Sequence, residues 1–285
     1  MKDIGIIGGG DLGGALAEVL HAAGRLSWMV IRNPEQHKDF VYEGVHIYTQ
    51  LSEAHLQGMI IILAIPDDAI PPFISDFNVL FPEPMCKAIV HCSGALMRGV
   101  LNHPTSAHST FAMHPFQSVR TSADIVNVPW GIECEDEDKP WILEFMDIVK
   151  GIPFFFDEEQ LKSKAMYHAI AVLSANFLTM LTALSAELAH HASIPPALFL
   201  PRIQSTVLQR AHESLSHDEF VLKGLTGPLI RKDIETLKAH RESVRDIKGL
   251  EEVYIAMNKA AIHLLTEHDV LSNEDAIRLF SVLSS

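Results

Sequence analysis

Cysteine is scarce: Cys86, Cys92 and Cys134 are the only three thiols in 285 residues. An odd number with no CxxC spacing excludes a disulfide scaffold and a cysteine-rich zinc site, and reads as structural thiols in a reducing cytoplasm. Positive charge is also short, with 22 Lys and Arg against 36 Asp and Glu and a net charge of −14. A phosphate backbone would be repelled by such a chain, so nucleic acid is excluded as a partner. No basic stretch followed by an apolar run opens the sequence, so no export signal is expected. The 16 histidines lack HExxH-type spacing; neither His190-His191 nor the His103 to His108 segment reads as a metal site. Aromatic residues are few, at 7%, yet apolar residues together reach 48%, which removes the disordered and low-complexity classes.

One long uncharged run is present, with 22 residues between Lys164 and Glu187, enough to cross a bilayer. His168, Asn176 and several hydroxyl side chains within it favour a helix buried at the centre of a domain or dimer over a membrane span.

The first half alternates short Ile- and Val-rich runs with helical stretches. Ile4 to Ile7, Trp28 to Ile31, Val45 to Tyr48, Met59 to Ile65 and Ala88 to Cys92 read as strands. Thr110 to Met113, Trp130 to Cys134 and Pro153 to Phe156 follow, with a helix from about Lys139 to Val149. Such alternation predicts an α/β fold with a doubly wound parallel sheet and right-handed crossovers. After Phe156 the apolar period is helical, broken at SIPPA, SHDE, GLTGP and LSNED into about five helices. The expectation is a sheet domain over 1–156 and an all-helical domain over 157–285.

Between the first strand and the first helix stands Gly8-x-Gly10-x-x-Gly13, with Asp11 and Leu12 inside the turn. The first glycine permits the tight turn, the second lets the main chain approach a pyrophosphate, and the third lets helix and strand pack closely. The free N–H groups and dipole of the helix N-terminus favour the anion. No Lys-Ser/Thr follows, which excludes a Walker-type phosphate loop. At the end of the second strand, where an NAD site places an acid, the chain has Arg32 and Asn33. A guanidinium there matches a 2′-phosphate, so NADP is favoured over NAD.

The fourth strand ends in LAIPDDAI, placing Ile65 and Pro66 at the ligand-binding edge of the sheet. Asp67 and Asp68 read as a helix cap rather than a catalytic pair. HCSG puts Ser93 and Gly94 on the same rim.

With IGGGDLGGAL, VIRNP, LAIPDDAI, HCSGA and MHPFQSV in order, the sequence resembles a family of NADP oxidoreductases. That family joins a Rossmann-like domain to a helical C-terminal domain of unknown function. It is similar in turn to pyrroline-5-carboxylate reductase and the deazaflavin-dependent NADP reductases. YHAIAVLSANFLTML and GLTGPLIRKD extend the resemblance through the second half, though Ser174-Ala175-Asn176 replaces the commoner Ala-Ser-Asn and Lys232 a common Gly. The resemblance implies a homodimer formed through the helical domain, acting on a small-molecule substrate in a cleft between domains.

For hydride chemistry a proton donor near the nicotinamide is needed, with a pKa near the working pH. His114 is the first candidate, with Gln117 and Ser118 beside it; the alternative is a turn histidine holding its own backbone. On the long helix, Lys164, His168, Ala171 and Ala175 recur at helical spacing, so His168 and Asn176 can share a face. Both also read as satisfied core polar groups. Related hydroxyacid dehydrogenases carry Lys-x-x-x-Asn there; here the spacing from Lys164 lands on His168, and Lys164 reads as a solvated capping lysine. Arg231 pairs with Asp233 or faces an anionic substrate. The expected activity is hydride transfer between NADP(H) and a small carbonyl, imine or hydroxy compound. The alternative is a non-catalytic dinucleotide-binding module that regulates through its helical domain.

Overall fold

The Ile- and Val-rich runs are too short for helices and pair into one 8-stranded sheet in the computed structural model. It describes residues 3–37, 41–83, 85–102, 108–217 and 219–284. The strands are β1 (Ile4–Ile7), β2 (Leu26–Val30), β3 (His46–Tyr48), β4 (Ile60–Leu63), β5 (Ala88–His91), β6 (Ser109–Pro115), β7 (Pro129–Glu133) and β8 (Ile152–Phe155). Their order is β3-β2-β1-β4-β5-β6-β7-β8. The reversal between β1 and β4 is the switch point of a doubly wound sheet, outside which ligands of such folds lie. The first six strands are parallel, but β7 runs antiparallel to β6. That departs from the all-parallel expectation. The link from Pro115 to Pro129 holds only a short 3-10 turn, without the longer crossover that parallel pairing needs.

Helix α1 (Asp11–Ala22) follows β1, buries Leu16 and Leu20 completely, and ends with Gly24 at φ +67, as a glycine just past a helix end should. The helices α2 (Ile70–Leu80) and α3 (Lys139–Val149) cover the sheet further along. A 3-10 turn, Asp67–Ala69, precedes α2, and neither Asp67 nor Asp68 caps it. The second and third positions of α2 are Pro71 and Pro72, which have no N–H for a capping carboxylate to accept.

The first compact unit extends to Phe177 and the second runs from Leu178 to Ser285. The strands end at Phe155, close to the expected change at 156. However, α4 (Glu158–Lys162), α5 (Lys164–Ala171) and a π-helical turn over Val172–Phe177 belong to the first unit. The second unit holds α6 (Leu178–His191), α7 (Pro196–Ser216), α8 (Pro228–Arg231), α9 (Ile234–Val244), α10 (Leu250–Glu267) and α11 (Asn273–Ser284). Its core gathers Leu229, Leu237, Ile262, Leu265, Leu271 and Leu279. Each break read from the sequence separates helices; two further ones lie at Lys232, with φ +57, between α8 and α9, and at Gly249, with φ +80, between α9 and α10.

The helical stretch Lys164–His191 is long and apolar enough to cross a membrane, and none of its most apolar window is buried in the single chain. Burial inside the chain, one of the two expectations, is therefore not what the fold provides. Met166, Leu173 and Met180 are each more than half exposed.

Candidate active site

The glycine loop differentiates its three residues by what surrounds them. Gly8 adopts φ +115, and a β-carbon there would lie 2.1 Å from the carbonyl oxygen of Ala64. A β-carbon on Gly13 would lie 2.2 Å from the carbonyl oxygen of Gly8, so these two glycines let β1, β4 and α1 close together. Gly10 differs: it is exposed, extended at φ −72, and a side chain on it would meet nothing within 4 Å. It is the N-cap of α1 yet supplies no side-chain cap, so the first N–H groups of the helix face open space. Asp11 is exposed and Leu12 half-buried. The bare loop in front of an uncapped helix end fits the pyrophosphate of a dinucleotide.

Arg32 and Asn33 are exposed just past β2, and among the described residues no ion pair engages Arg32. Ile65 is half-buried and Pro66 exposed just past β4. Ser93 and Gly94 are instead buried. The Ser93 hydroxyl accepts from the N–H groups of Ala95 and Leu96, at 3.1 and 3.0 Å, and so fixes the turn after β5.

Gly94 has a specific neighbourhood. A β-carbon there would lie 2.7 Å from His168 Nδ1 and 2.9 Å from His114 Cε1. The missing side chain lets the two imidazoles meet edge to face with centroids 5.9 Å apart. His114, on β6, and His168, on α5, line a cavity of about 300 Å³ together with Gln117, Ser118, Ser174 and Asn176. All three residues singled out for chemistry thus share one pocket within the first unit. The π turn contributes Ser174 and Asn176; such turns recur at functional sites. The buried Nδ1 of His168 makes no hydrogen bond among the described residues. His114 lies at the same sheet edge as Gly8, because β1, β4, β5 and β6 are parallel. The three intervening strand spacings amount to about 14 Å.

Burial, with His168 nearby, pushes the His114 imidazole down to about 4. This overturns the expectation of a donor titrating near neutral pH: His114 is neutral there. Its Nδ1 lies 3.1 Å from the Tyr167 hydroxyl, a residue the sequence reading passed over. Room for Tyr167 comes from Gly131, where a β-carbon would lie 2.8 Å from the phenol oxygen. Burial raises that phenol to about 12, so it carries its proton; the hydroxyl also stands 3.5 Å from the His114 carbonyl oxygen, and donation to Nδ1 is the arrangement that would leave the His114 proton on Nε2.

Lys164 corrects another expectation. It is not solvated: it is 4% exposed, and its ammonium donates to buried Glu133 at 2.8 Å. Burial lowers its pKa, and the Glu133 pair offsets part of that. Glu133 also accepts the Arg98 amide at 3.0 Å, tying the turn after β5 to β7 and α5. Fully buried His91 accepts the Ser93 amide at Nδ1 and sits 3.3 Å from the Met97 carbonyl at Nε2. Both nitrogens are engaged, and burial pushes its pKa down to about 4.

In the second unit Asp233 caps α9 by accepting from Thr236, and no Arg231–Asp233 ion pair occurs among the described residues. No disulfide forms: Cys86 and Cys92 are buried and Cys134 half-buried, with burial raising the thiols to about 11, 12 and 11. Among the described residues no group of three or more His, Cys, Asp or Glu side chains could hold a metal; His103 lies outside those residues.

A glycine turn open to an anion beside the switch point, with a polar pocket further along the same sheet edge, defines a dinucleotide-binding α/β protein. Residues 3–85 match the family model described as NADP oxidoreductase coenzyme F420-dependent, and residues 128–261 match the domain of unknown function DUF2520. The two matches lie in tandem, the first over the glycine turn and β1 to β4 and the second from β7 into α10, each over less than half of the chain. No curated protein matches the sequence. Among solved structures, it is similar to a candidate NADP oxidoreductase from Bacteroides fragilis at 22% identity and a TM-score of 0.74, covering 91% of this chain and 97% of that one. An imine reductase from Streptomyces aurantiacus is similar at 14% identity and a TM-score of 0.65, over 97% and 99% of the two chains. A pyrroline-5-carboxylate reductase from Coxiella burnetii is similar at 16% identity and a TM-score of 0.55, over 95% and 99%. At these identities the likeness is one of fold, and it agrees with the resemblance read from the motifs.

Proposed function

We propose that the protein is an NADP-dependent oxidoreductase acting on a small carbonyl, imine or hydroxy compound. One observation carries the reading: Gly10 leaves the uncapped N-terminus of α1 open to an anion, on the sheet edge that also bears the His114 pocket. When bound, the nicotinamide cofactor supplies or accepts the hydride. Gly8, Gly10, Asp11, Leu12 and Gly13 form the pyrophosphate turn, Arg32 pairs with the 2′-phosphate beside Asn33, and Ile65 and Pro66 form the rim. Ser93 and Gly94 support that rim from beneath, the glycine by admitting the two histidines. Neutral His114 holds a proton on Nε2 and donates a hydrogen bond to the substrate oxygen or nitrogen, with Tyr167 fixing the tautomer. His168 and Asn176 orient the substrate from the opposite wall.

The test is steady-state consumption of NADPH with a panel of small ketones, aldehydes and cyclic imines. Turnover that His114→Ala removes while NADPH binding persists supports the proposal. Tight NADPH binding without turnover across the panel supports instead a non-catalytic module that signals through its helices.

The 157–285 helices serve as a homodimer interface in this proposal. The support is the apolar surface of α6 and α7, where Met180 is 58%, Leu198 79% and Ile203 57% exposed. A monomer in sedimentation equilibrium would refute it. The three unbridged thiols support a cytoplasmic location, and recovery of the protein from a membrane or periplasmic fraction would refute that.

A further inference from the structure

The pocket beside His114 is polar and, among the described residues, is lined by no carboxylate, ammonium or guanidinium. Its hydrogen-bonding groups are two primary amides, two hydroxyls and two imidazoles, from Gln117, Asn176, Ser118, Ser174, His114 and His168. Phe116, Ala171, Val172 and Ala175 complete the lining, and among the described residues no Asp, Glu, Lys or Arg side chain takes part. We infer that the substrate is an uncharged carbonyl or imine compound, one with no carboxylate or phosphate group. The inference rests on the oxidoreductase reading and narrows its substrate class.

The charges beneath the pocket support it. Lys164 is the cation buried there, and Glu133 neutralises it at 2.8 Å. His114 feels the Asp67 carboxylate and, in the opposite sense, the paired Lys164 ammonium; the carboxylate opposes an incoming anion. His114 cannot supply a cation at neutral pH, because burial holds its imidazole near 4. Arg120 stands two residues beyond Ser118, but it is exposed, outside the lining, and its backbone N–H is taken by Asp124. A carboxylate entering the pocket would exchange its hydration for amide, hydroxyl and imidazole donors, with no ammonium or guanidinium among the described lining residues and a like charge nearby. An uncharged carbonyl, hydroxyl or amide finds matching partners, since amides, hydroxyls and imidazoles each donate and accept. The cavity lies at the small end of the range for small-molecule sites, which suits one compact ring.

The experiment uses matched pairs that differ by one carboxylate. Cyclohexanone is compared with 4-oxocyclohexanecarboxylate in NADPH turnover. 2-Pyrrolidinone is compared with pyroglutamate in NMR-detected binding to the full chain saturated with NADP⁺. The neutral member should be favoured at least 10-fold in each pair that gives a signal. Gln117→Lys, on an exposed loop position, should shift the ratio at least 10-fold toward the carboxylated member. A preference for the carboxylated member, no binding of either lactam, or an unmoved ratio in Gln117→Lys overturns the substrate class. NADPH titration separates the two levels: those failures with NADPH bound leave the oxidoreductase reading standing, whereas absent NADPH binding removes both.

Discussion

Alanine placed at Gly10 and at Gly13 should have opposite consequences, although the two glycines belong to one motif. At Gly13 the added β-carbon would lie 2.2 Å from the Gly8 carbonyl oxygen and 3.0 Å from its carbon. Both are backbone atoms that cannot swing aside, so β1 and α1 must separate. Overpacking of this kind costs about 1–3 kcal/mol; in a unit of this size each kcal/mol lowers the Tm by roughly 2–4 °C, so a fall of about 6–12 °C is expected toward the upper end. At Gly10 the backbone is extended at φ −72, and nothing lies within 4 Å of the new methyl. Stability should hold or rise by up to about 1 kcal/mol, through the stiffer unfolded chain. The methyl projects into the space before α1, so it should block hydrogen bonds to a charged pyrophosphate worth about 1.5–3 kcal/mol, or roughly 10- to 100-fold in NADPH affinity. Thermal melts and calorimetric titration of both variants provide the readout. A Gly10→Ala protein that binds NADPH like the wild type, or a Gly13→Ala protein that melts like it, would refute the division of roles.

Lys164→Met should destabilise by about 3–5 kcal/mol in chemical denaturation, because Glu133 is left charged and buried. The double variant Lys164→Met/Glu133→Leu should lie closer to the wild type than either single change, and additive losses would contradict the pairing. His91 ordinarily titrates at 6.5, but burial holds it near 4. Between those values the unfolded chain binds a proton that the folded chain does not. Stability present above pH 6.5 should therefore fall as pH drops toward 4, by up to about 3 kcal/mol. His91→Gln should flatten that slope in denaturation curves, and an unchanged slope would place the loss elsewhere. Tyr167→Phe should leave NADPH affinity intact and lower kcat by about 10-fold through loss of the bond to His114 Nδ1; weakened NADPH binding with kcat unchanged would count against the tautomer role.

The parts of this molecule legible in its sequence are those set by local chemistry. The glycine loop follows from turn geometry within a few residues. Helix α3 occupies Lys139–Val149 as read, because an apolar stripe follows a proline-marked start. His168 and Asn176 read from their spacing as able to share a face, and both line the pocket with His114. What sequence spacing does not carry is the distant partner. Lys164 shows a helical face but not Glu133, 31 residues away, and Tyr167 is marked only by a contact across 53 residues. The π turn at Val172–Phe177 breaks the 3.6-residue period on which a face is judged. The direction of β7 depends on the length of its connection rather than on its own alternation.

The most direct test is calorimetric titration of the wild type and Arg32→Ala with NADPH and NADH. NADPH should bind the wild type at least about 10-fold more tightly than NADH, a bidentate phosphate contact being worth about 1.5–3 kcal/mol, and Arg32→Ala should erase that preference while leaving NADH affinity unchanged. Absence of binding by either nucleotide would contradict the account at its root, since the open glycine turn would then serve packing alone.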